Sequence, residues 1–448
     1  MFFYQVMLPV KYCLSVGALT YTFSKEIALG SLVKVPFRQK EIYGILIGEV
    51  APFVPKNFEL KEILESLDVL FSPAQIALAK WIADYYAVPL QKALLVCLPR
   101  DHWKPNKTKG KLVTGGLVNQ SPHDLTEAQK NILERIDNEK DTTWLLHGVT
   151  GSGKTEIYLR LVQASLEQDK QAIILVPEIA LTPQTNHRFE ERFPGQVAVL
   201  HSAITTSQRK KIFHQIRSGE KNVILGARSA LFAPAHKLGL VIVDEEHEQS
   251  YHQDQSPRYH AVQVARKLRE LTHSTLVLGS ATPSLITYES KDQHIVELPA
   301  RVQGVMPTIE LIDMRNELKA KNYSPLSDRL QDAIKQELTE KRQVLLFLNR
   351  RGFATTFLCR ECGYREMCPT CEISLTVHLQ PNASGFDPAT QLICHYCGFT
   401  KLPPAQCAKC GGVTLKSLGS GTQKILLELE RLFPQAKTVR VDKDTMTS

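Results

Sequence analysis

The sequence predicts an α/β protein built on parallel sheet, preceded by a β-rich module and interrupted late in the chain by a cysteine-rich insertion. Three observations carry this expectation. Continuous apolar runs of strand length, Ala172–Val176, Val197–Leu200, Val223–Leu225, Leu240–Val243 and Leu276–Leu278, alternate with helical stretches. That is the pattern of parallel strands covered on both faces by crossover helices. The stretch Gly148-Val149-Thr150-Gly151-Ser152-Gly153-Lys154-Thr155 fits the phosphate-loop pattern G-x-x-x-x-G-K-[ST] at each fixed position. Eight of the ten cysteines fall between Cys359 and Cys410, as four C-x-x-C units.

Bulk composition bounds the answer. The 448 residues suit about three domains at roughly 150 residues each. With 43% hydrophobic and 22% charged residues the chain is of ordinary globular composition, which excludes a largely disordered protein. A net charge of +8 tilts it towards a polyanionic partner. Met1 to Gly17 is apolar, but Lys11 interrupts it and no basic segment precedes it, so it reads as a strand rather than a leader. No run approaches the ~18 consecutive apolar residues of a membrane helix, and a soluble, cytoplasmic protein is expected. In a reducing compartment the clustered cysteines point to metal, not disulfides.

Residues 1–100 read as a β-rich module, with strand-like runs Ser31–Phe37 and Tyr43–Gly48 and a helix over Pro73–Tyr86. Residues 101–121, with Lys104, Lys107, Lys109 and Lys111 among Pro, Asn, Thr and Gly, read as a solvated linker. A first α/β lobe is expected over 122–310. Its opening helix has Thr126 as N-cap, and Gln129 either reads an adenine edge or faces solvent. Thr143–Leu146 is the strand before the phosphate loop, and a helix follows from Glu156 with Ile157, Tyr158, Leu161 and Val162 at helical spacing. Amides around Gly148, Gly151 and Gly153 can wrap phosphate oxygens, Lys154 adds a point charge, and the Thr155 hydroxyl can hold Mg²⁺.

In a parallel sheet, ligands bind at the C-terminal strand ends, where several polar signatures lie. Asp244-Glu245-Glu246-His247 follows one apolar run, with Asp244 placed to bind Mg²⁺ and Glu245 to orient an attacking water. An acidic helix start is the competing reading. Gly279-Ser280-Ala281-Thr282-Pro283 follows the next run, where small hydroxyl residues can pass on the nucleotide state. Pro177–Gln184 and Gly226–Ala230 place Thr182, Arg228 and Ser229 where they can track a sugar-phosphate backbone. The loop Ser250–His260 crowds Tyr251, His252, Arg258, Tyr259 and His260, which either stack on a base or pack the loop onto its domain.

A second lobe is expected from 311–357, with a buried strand at Gln343–Asn349 and Arg350-Arg351-Gly352-Phe353 after it, resuming over 413–448. Between them, residues 358–412 carry the C-x-x-C units Cys359/Cys362, Cys368/Cys371, Cys394/Cys397 and Cys407/Cys410. Eight thiolates imply two closed Cys₄ zinc sites of structural type, with iron–sulfur ligation as the alternative. Spacing separates the first two units onto different metals but leaves nested and interleaved pairing open.

The phosphate loop, the Asp244–His247 run, the aromatic loop, Gly279–Pro283, Arg350-Arg351-Gly352 and the eight cysteines together resemble the PriA family of bacterial replication-restart helicases of superfamily 2. The resemblance is specific from about Leu125 to Asp442. It implies two RecA-like parallel-sheet helicase lobes, the second incomplete, with an N-terminal β-rich DNA-binding domain and a two-zinc insertion. It further implies an ATP-driven 3′ to 5′ DNA helicase that recognises stalled or branched forks and initiates replication restart, using ATP, Mg²⁺ and two Zn²⁺. Implied partners are single-stranded and forked DNA, primosome proteins, single-stranded-DNA-binding protein and the replicative helicase loader, for a monomer associated with the nucleoid. By the same resemblance the zincs are nested: Cys359, Cys362, Cys407 and Cys410 hold one, and Cys368, Cys371, Cys394 and Cys397 the other.

Three departures shape the expectation. Leu19-Thr20-Tyr21 stands where the family commonly has Phe-Asp-Tyr, so Tyr21 can stack on a terminal base while Thr20 replaces a carboxylate. The linker is too short for the winged-helix domain usual at that point. The sequence stops at Ser448, ahead of the second-lobe motifs that supply an arginine finger, so ATP binding with poor hydrolysis is expected. A zinc-containing, fork-binding scaffold gated by nucleotide is the rival reading.

Overall fold

Alternation and capping account for the first sheet. In the computed structural model the described residues are 1–53, 59–98, 103, 124–322, 324–348, 356–359, 361–380, 389–418 and 422–441. They divide into two compact units, Met1–Pro307 and Thr308–Ser448. The chain opens with β1 (Phe2–Met7), the short helix α1 (Tyr12–Val16), β2 (Leu19–Phe23), β3 (Ser31–Phe37), β4 (Lys40–Glu49) and β5 (Glu65–Val69). The strands pair antiparallel in the order β2-β1-β4-β3-β5. Met1 to Gly17 is thus a strand followed by a helix. Then come α2 (Pro73–Tyr85) and α3 (Leu90–Cys97). Pro73 begins α2 after a capping box in which Ser72 and Gln75 satisfy each other's backbone N–H groups.

This module is fused to the parallel sheet C-terminal to it. One continuous core runs from Tyr4, Val33 and Ile45 through Phe71 and Leu78 to Leu145, Ile173 and Val241 of that sheet. Polar contacts reinforce it: Gln75 Nε2 donates to Phe232 O at 3.2 Å, Arg217 Nη1 to Val69 O at 3.1 Å, and the His260 amide to the Tyr86 hydroxyl at 3.1 Å. Trp103 corrects the reading of a solvated linker at its start. Its ring is 2% exposed and edge-on to Phe71, and its indole N–H reaches Leu98 O at 2.9 Å. Burying so large an apolar ring outweighs its polar neighbours in sequence. Residues 104–121 lie outside the described residues.

The second sheet is wholly parallel. It comprises α4 (Glu127–Asn138), β6 (Thr143–Gly148), α5 (Lys154–Glu167), β7 (Gln171–Leu175), α6 (Pro183–Arg192), β8 (Val197–Leu200), α7 (Thr206–Arg217), β9 (Val223–Gly226), β10 (Leu238–Asp244), α8 (Ala261–Thr272), β11 (Thr275–Ser280), α9 (Leu285–Tyr288) and β12 (His294–Leu298). The strand order is β12-β6-β11-β10-β7-β9-β8. Its central residues, such as Leu145, Ile173, Ile224, Ile242 and Leu278, are fully buried. Because every strand enters from the same side, the loops after β6, β7, β9, β10 and β11 gather at one edge.

In the second unit, α10 (Met314–Lys319) and α11 (Asp328–Thr339) precede an antiparallel sheet. That sheet consists of β13 (Thr356–Cys359), β14 (Thr376–Gln380), β15 (Ala389–Ile393), β16 (Thr400–Lys401) and β17 (Leu415–Leu418), in the order β16-β15-β14-β13-β17, and α12 (Thr422–Leu432) comes after it. The strand expected at Gln343–Asn349 is not formed over Gln343–Leu348, where Leu345 is 92% and Phe347 86% exposed. A parallel strand needs a neighbouring strand for its amides and carbonyls, and none lies beside it among the described residues. Asn349 and Arg350–Phe353 fall outside the described residues. No helix among those described is long and apolar enough to cross a membrane.

His260, at the N-terminus of α8, makes stability depend on pH. Its Nδ1 accepts the Val262 amide at 3.2 Å, and its ring faces that of His252 at 4.0 Å. Burial, reinforced by His252, lowers its pKa from 6.5 to about 4. Between those values the unfolded chain holds a proton that the folded chain refuses, so stability is lost as pH falls through this window. Asn caps a helix without titrating. The denaturation midpoint should therefore fall less between pH 6.5 and pH 4 in His260→Asn than in the parent; equal falls would remove His260 from the account.

Candidate nucleotide site and zinc centres

The phosphate loop joins β6 to α5. Gly151 (φ 82°) and Gly153 (φ 83°) lie in the left-handed region that favours glycine, and Gly153 caps α5. A Cβ on Gly153 would stand 2.3 Å from Gln129 Nε2. Gln129 is 3% exposed: its Oε1 accepts the Thr126 amide at 2.9 Å and its Nε2 donates to Ser152 O at 3.0 Å. It faces no solvent and braces the loop. Lys154 is 9% exposed, with Nζ donating to Gly148 O at 2.6 Å.

Asp244 ends β10. Tyr158, one turn beyond Lys154 on α5, donates to Asp244 Oδ1 at 2.8 Å. Burial raises the Asp244 pKa above the usual carboxylate range and the Glu245 charge adds to this, while the Tyr158 hydrogen bond and the Lys154 charge oppose it. Burial, then the charge of Asp244, lifts the Tyr158 hydroxyl well above its ordinary value. A Cβ at residue 279 would lie 1.7 Å from the Tyr158 hydroxyl, so only glycine fits on β11 there.

The acidic run does not start a helix; it divides. Asp244 and Glu245 face the cavity, and Glu245 is held at φ 47°, a strained conformation of the kind that clusters at functional sites. Glu246 turns inward, 2% exposed, and accepts from the Ser284 amide at 2.6 Å and the Thr287 hydroxyl at 2.8 Å, capping α9. His247 Nδ1 lies 2.8 Å from Ser280 Oγ and 3.7 Å from Glu245 Oε2, joining this run to the Gly279–Pro283 stretch.

The phosphate loop, Asp244 and Glu245 share one cavity of about 830 Å³, lined by Asp124, Gln129, the loop from Thr150 to Glu156, Arg188, Asp244, Glu245, Val302 and Gln303. Its volume is in the range of small-ligand sites, roughly 300–1,000 Å³. The Val302 amide donates to Gly151 O at 3.0 Å, so the segment after β12 closes one side. Tyr158, Glu246, Arg188 and Val302 were not assigned from sequence. Only Tyr158 left a signal, its spacing of four from Lys154.

A second cavity, about 330 Å³, gathers Arg228, Ser229, Tyr251 and Tyr259 with Ser202 and Arg209. The aromatic reading needs correction here. Tyr251 and Tyr259 are 1% and 3% exposed, so neither ring is offered to a base. The Tyr251 hydroxyl donates to Asp244 O at 2.6 Å, and Tyr259 packs edge-on against Phe232. Core burial claims both rings, the alternative weighed for this loop. Arg228 Nη1 donates to Ser250 O at 2.7 Å and His252 O at 2.6 Å, pinning the loop. Arg258 is exposed, and Thr182 caps α6 by accepting the Thr185 amide at 3.2 Å. Tyr21 is likewise corrected: it is 4% exposed, its hydroxyl donates to Pro36 O at 3.3 Å, and burial raises its pKa to about 12.

The cysteines form two groups, Cys359, Cys362, Cys407 and Cys410, and Cys368, Cys371, Cys394 and Cys397, each with all four Sγ atoms within 4.8 Å of one another. The pairing is nested. Sγ separations of 3.6 Å recur at Cys359–Cys410, Cys362–Cys407 and Cys368–Cys397. A tetrahedral zinc with Zn–S of ~2.3 Å spaces its sulfurs by about 3.8 Å, whereas a disulfide would draw them to ~2.05 Å. The donor set therefore fits zinc. Each unit closes by the same turn, with the amides of Gly363, Glu372, Gly398 and Gly411 donating to the carbonyl of the unit's first cysteine at 2.9–3.0 Å. Three are glycines at positive φ, and the fourth, Glu372, takes φ 54°. Glu366, 3% exposed and between the first two units in sequence, meets Lys401 Nζ of β16 at 2.7 Å.

Similarity to known proteins falls along the same division. Residues 126–290 match the DEAD/DEAH box helicase family model, 5–99 the 3′ DNA-binding domain, and 386–401 the PriA DNA helicase Cys-rich region. Replication restart protein PriA of Helicobacter pylori (strain J99) is 36% identical over 444 residues, covering 99% of this chain and 67% of that protein. The chain belongs to the PriA family. Its relatives of that name in Bacillus subtilis and Rickettsia felis are 43% and 40% identical, over 72% and 93% of this chain. The chain spans only 40% and 63% of their lengths. In PriA terms, the helicase match contains the phosphate loop and the Asp244–His247 run, and the 3′ DNA-binding match runs from within β1 through α3.

Metal analysis of the purified chain should return two zinc ions. Cys394→Ser and Cys407→Ser should each lower the count to one, and the pair together to none; a single substitution that emptied both sites would contradict two independent centres.

Proposed function

We propose that this chain carries the ATP-binding lobe and the 3′-end-recognition module of an ATP-dependent 3′ to 5′ DNA helicase, one that acts at stalled or branched forks to restart replication. The observation that carries the reading is the convergence of the phosphate loop, Asp244 and Glu245 on one cavity, with His247 linking them to Ser280. Gly148, Gly151 and Gly153 present backbone amides to the phosphates, and Lys154 leaves its carbonyl partner to neutralise the β- and γ-oxygens. The Thr155 hydroxyl and Asp244 carboxylate would hold Mg²⁺, which neutralises phosphate charge when bound. Glu245 orients the water for in-line attack, and Gln129 keeps one amide hydrogen for the adenine. Domain limits at 1–100, 122–310, 311–357, 358–412 and 413–448 belong to the same proposal, with the linker expected at 101–121 beginning only after the buried Trp103. So do a monomeric state and partnership with primosome proteins, single-stranded-DNA-binding protein and the helicase loader.

DNA contacts are assigned to Arg258, Thr182, Ser229 and Arg228, the last through the loop it pins. A second reading, a fork-binding scaffold that binds nucleotide with little turnover, draws on the unformed strand at Gln343–Leu348. Phosphate release by this chain with and without single-stranded DNA separates them. Stimulation by DNA supports the motor, and binding without stimulation supports the scaffold. Lys154→Ala should weaken binding of Mg²⁺-ATP by about tenfold or more, since an ionic hydrogen bond contributes roughly 1.5–3 kcal/mol. Unchanged affinity would sink the assignment of the cavity.

A further inference from the structure

We infer that Arg188 is a phosphate-sensing residue of the nucleotide cavity, contributed by the same lobe as the phosphate loop and aimed at the terminal phosphate of bound ATP. This rests on the reading of that cavity as an ATP site. Sheet order gives the direction in which a nucleotide lies. Gln129 and Val302 flank the loop on the side of β6 and β12, while Asp244 ends β10, two strands across. Arg188 belongs to α6, which follows β7, the strand beyond β10. With the base beside Gln129, the phosphates therefore run towards Asp244, and Arg188 lines the cavity at the far end.

The rotation of α6 is set independently. Arg192 Nη2 donates to Gln163 Oε1 of α5 at 2.8 Å, and Phe189 is 2% exposed in the core. Arg188 precedes Arg192 by one turn on the same helix face, so it lies against the part of α5 nearer Lys154. Among the described residues, none of the cavity's four carboxylates, Asp124, Glu156, Asp244 and Glu245, forms an ion pair or hydrogen bond with it. Glu156 pairs with Arg160 at 3.0 Å, Asp244 takes Tyr158, and Glu245 lies nearest His247. Among the described residues the Arg188 guanidinium has no hydrogen-bond or ion-pair partner. An exposed arginine that lines a phosphate cavity without a protein anion is set to take an anion from the ligand, and its planar fork matches two phosphate oxygens.

The test is titration of the full chain with a non-hydrolysable ATP analogue and with ADP, both with Mg²⁺. Arg188→Gln should weaken the ATP analogue by about tenfold, the scale of one lost ionic contact, and leave ADP within about twofold. Arg188→Lys should recover part of the loss, since it keeps the charge and loses the fork. An unchanged ratio of the two affinities in Arg188→Gln, or an equal fall in both, overturns the inference. So does a loss of DNA affinity alone, which would make Arg188 a DNA contact. A parent chain that binds neither nucleotide, or a Lys154→Ala variant that binds both normally, fails the underlying ATP reading instead.

Discussion

One buried hydroxyl governs the geometry of the cavity at the phosphate loop. Tyr158 rises from the first turns of α5, passes over Gly279 of β11 where no side chain fits, and meets the carboxylate at the end of β10. The phosphate loop and Asp244 lie on strands separated by β11, so their spacing would otherwise depend on sheet twist alone. A hydrogen bond to a carboxylate in a dry site is worth roughly 1.5–3 kcal/mol, more than a typical neutral pair. It also balances burial at Asp244, which alone would favour the protonated form. One hydrogen bond thus links the helix after the phosphate loop to the Asp244 carboxylate across β11.

Much of the fold was legible because parallel strands buried on both faces have an unmistakable composition. Runs such as Ile173–Leu175 and Val241–Val243 stand between polar strand-end signatures, and each formed where the pattern placed it. The run at Gln343–Leu348 has the same composition and formed nothing, because composition specifies what a strand buries and not which neighbour completes its ladder. The aromatic loop was ambiguous for a related reason. A tyrosine in a polar loop looks the same in sequence whether its ring packs inward, as Tyr251 and Tyr259 do, or faces solvent. The loop's glycines, Lys154, Asp244 and Glu245 were readable from motif chemistry, while Glu246 and Arg188 required the tertiary arrangement that brings α9 and α6 to the strand ends.

The zinc module shows how spacing and topology divide the information. Four C-x-x-C units announced two metals, but the choice between nested and interleaved pairing depends on the β14–β15 hairpin bringing Cys394 back to Cys371 and on β17 pairing with β13. Each unit turns through a left-handed residue. Where Glu372 replaces glycine, the local conformation costs about 1–2 kcal/mol that metal coordination must offset.

The shared core between the N-terminal module and the parallel sheet has a mechanical consequence. Among the described residues, Trp103, Gln75, Arg217 and Tyr86 pack or hydrogen-bond at that junction. A flexible tether would let the module search a volume; a shared core holds it in one place. The residues that match a 3′ DNA-binding domain are thereby held at a constant offset from the phosphate loop, a distance set by side-chain packing and not by the length of the intervening chain.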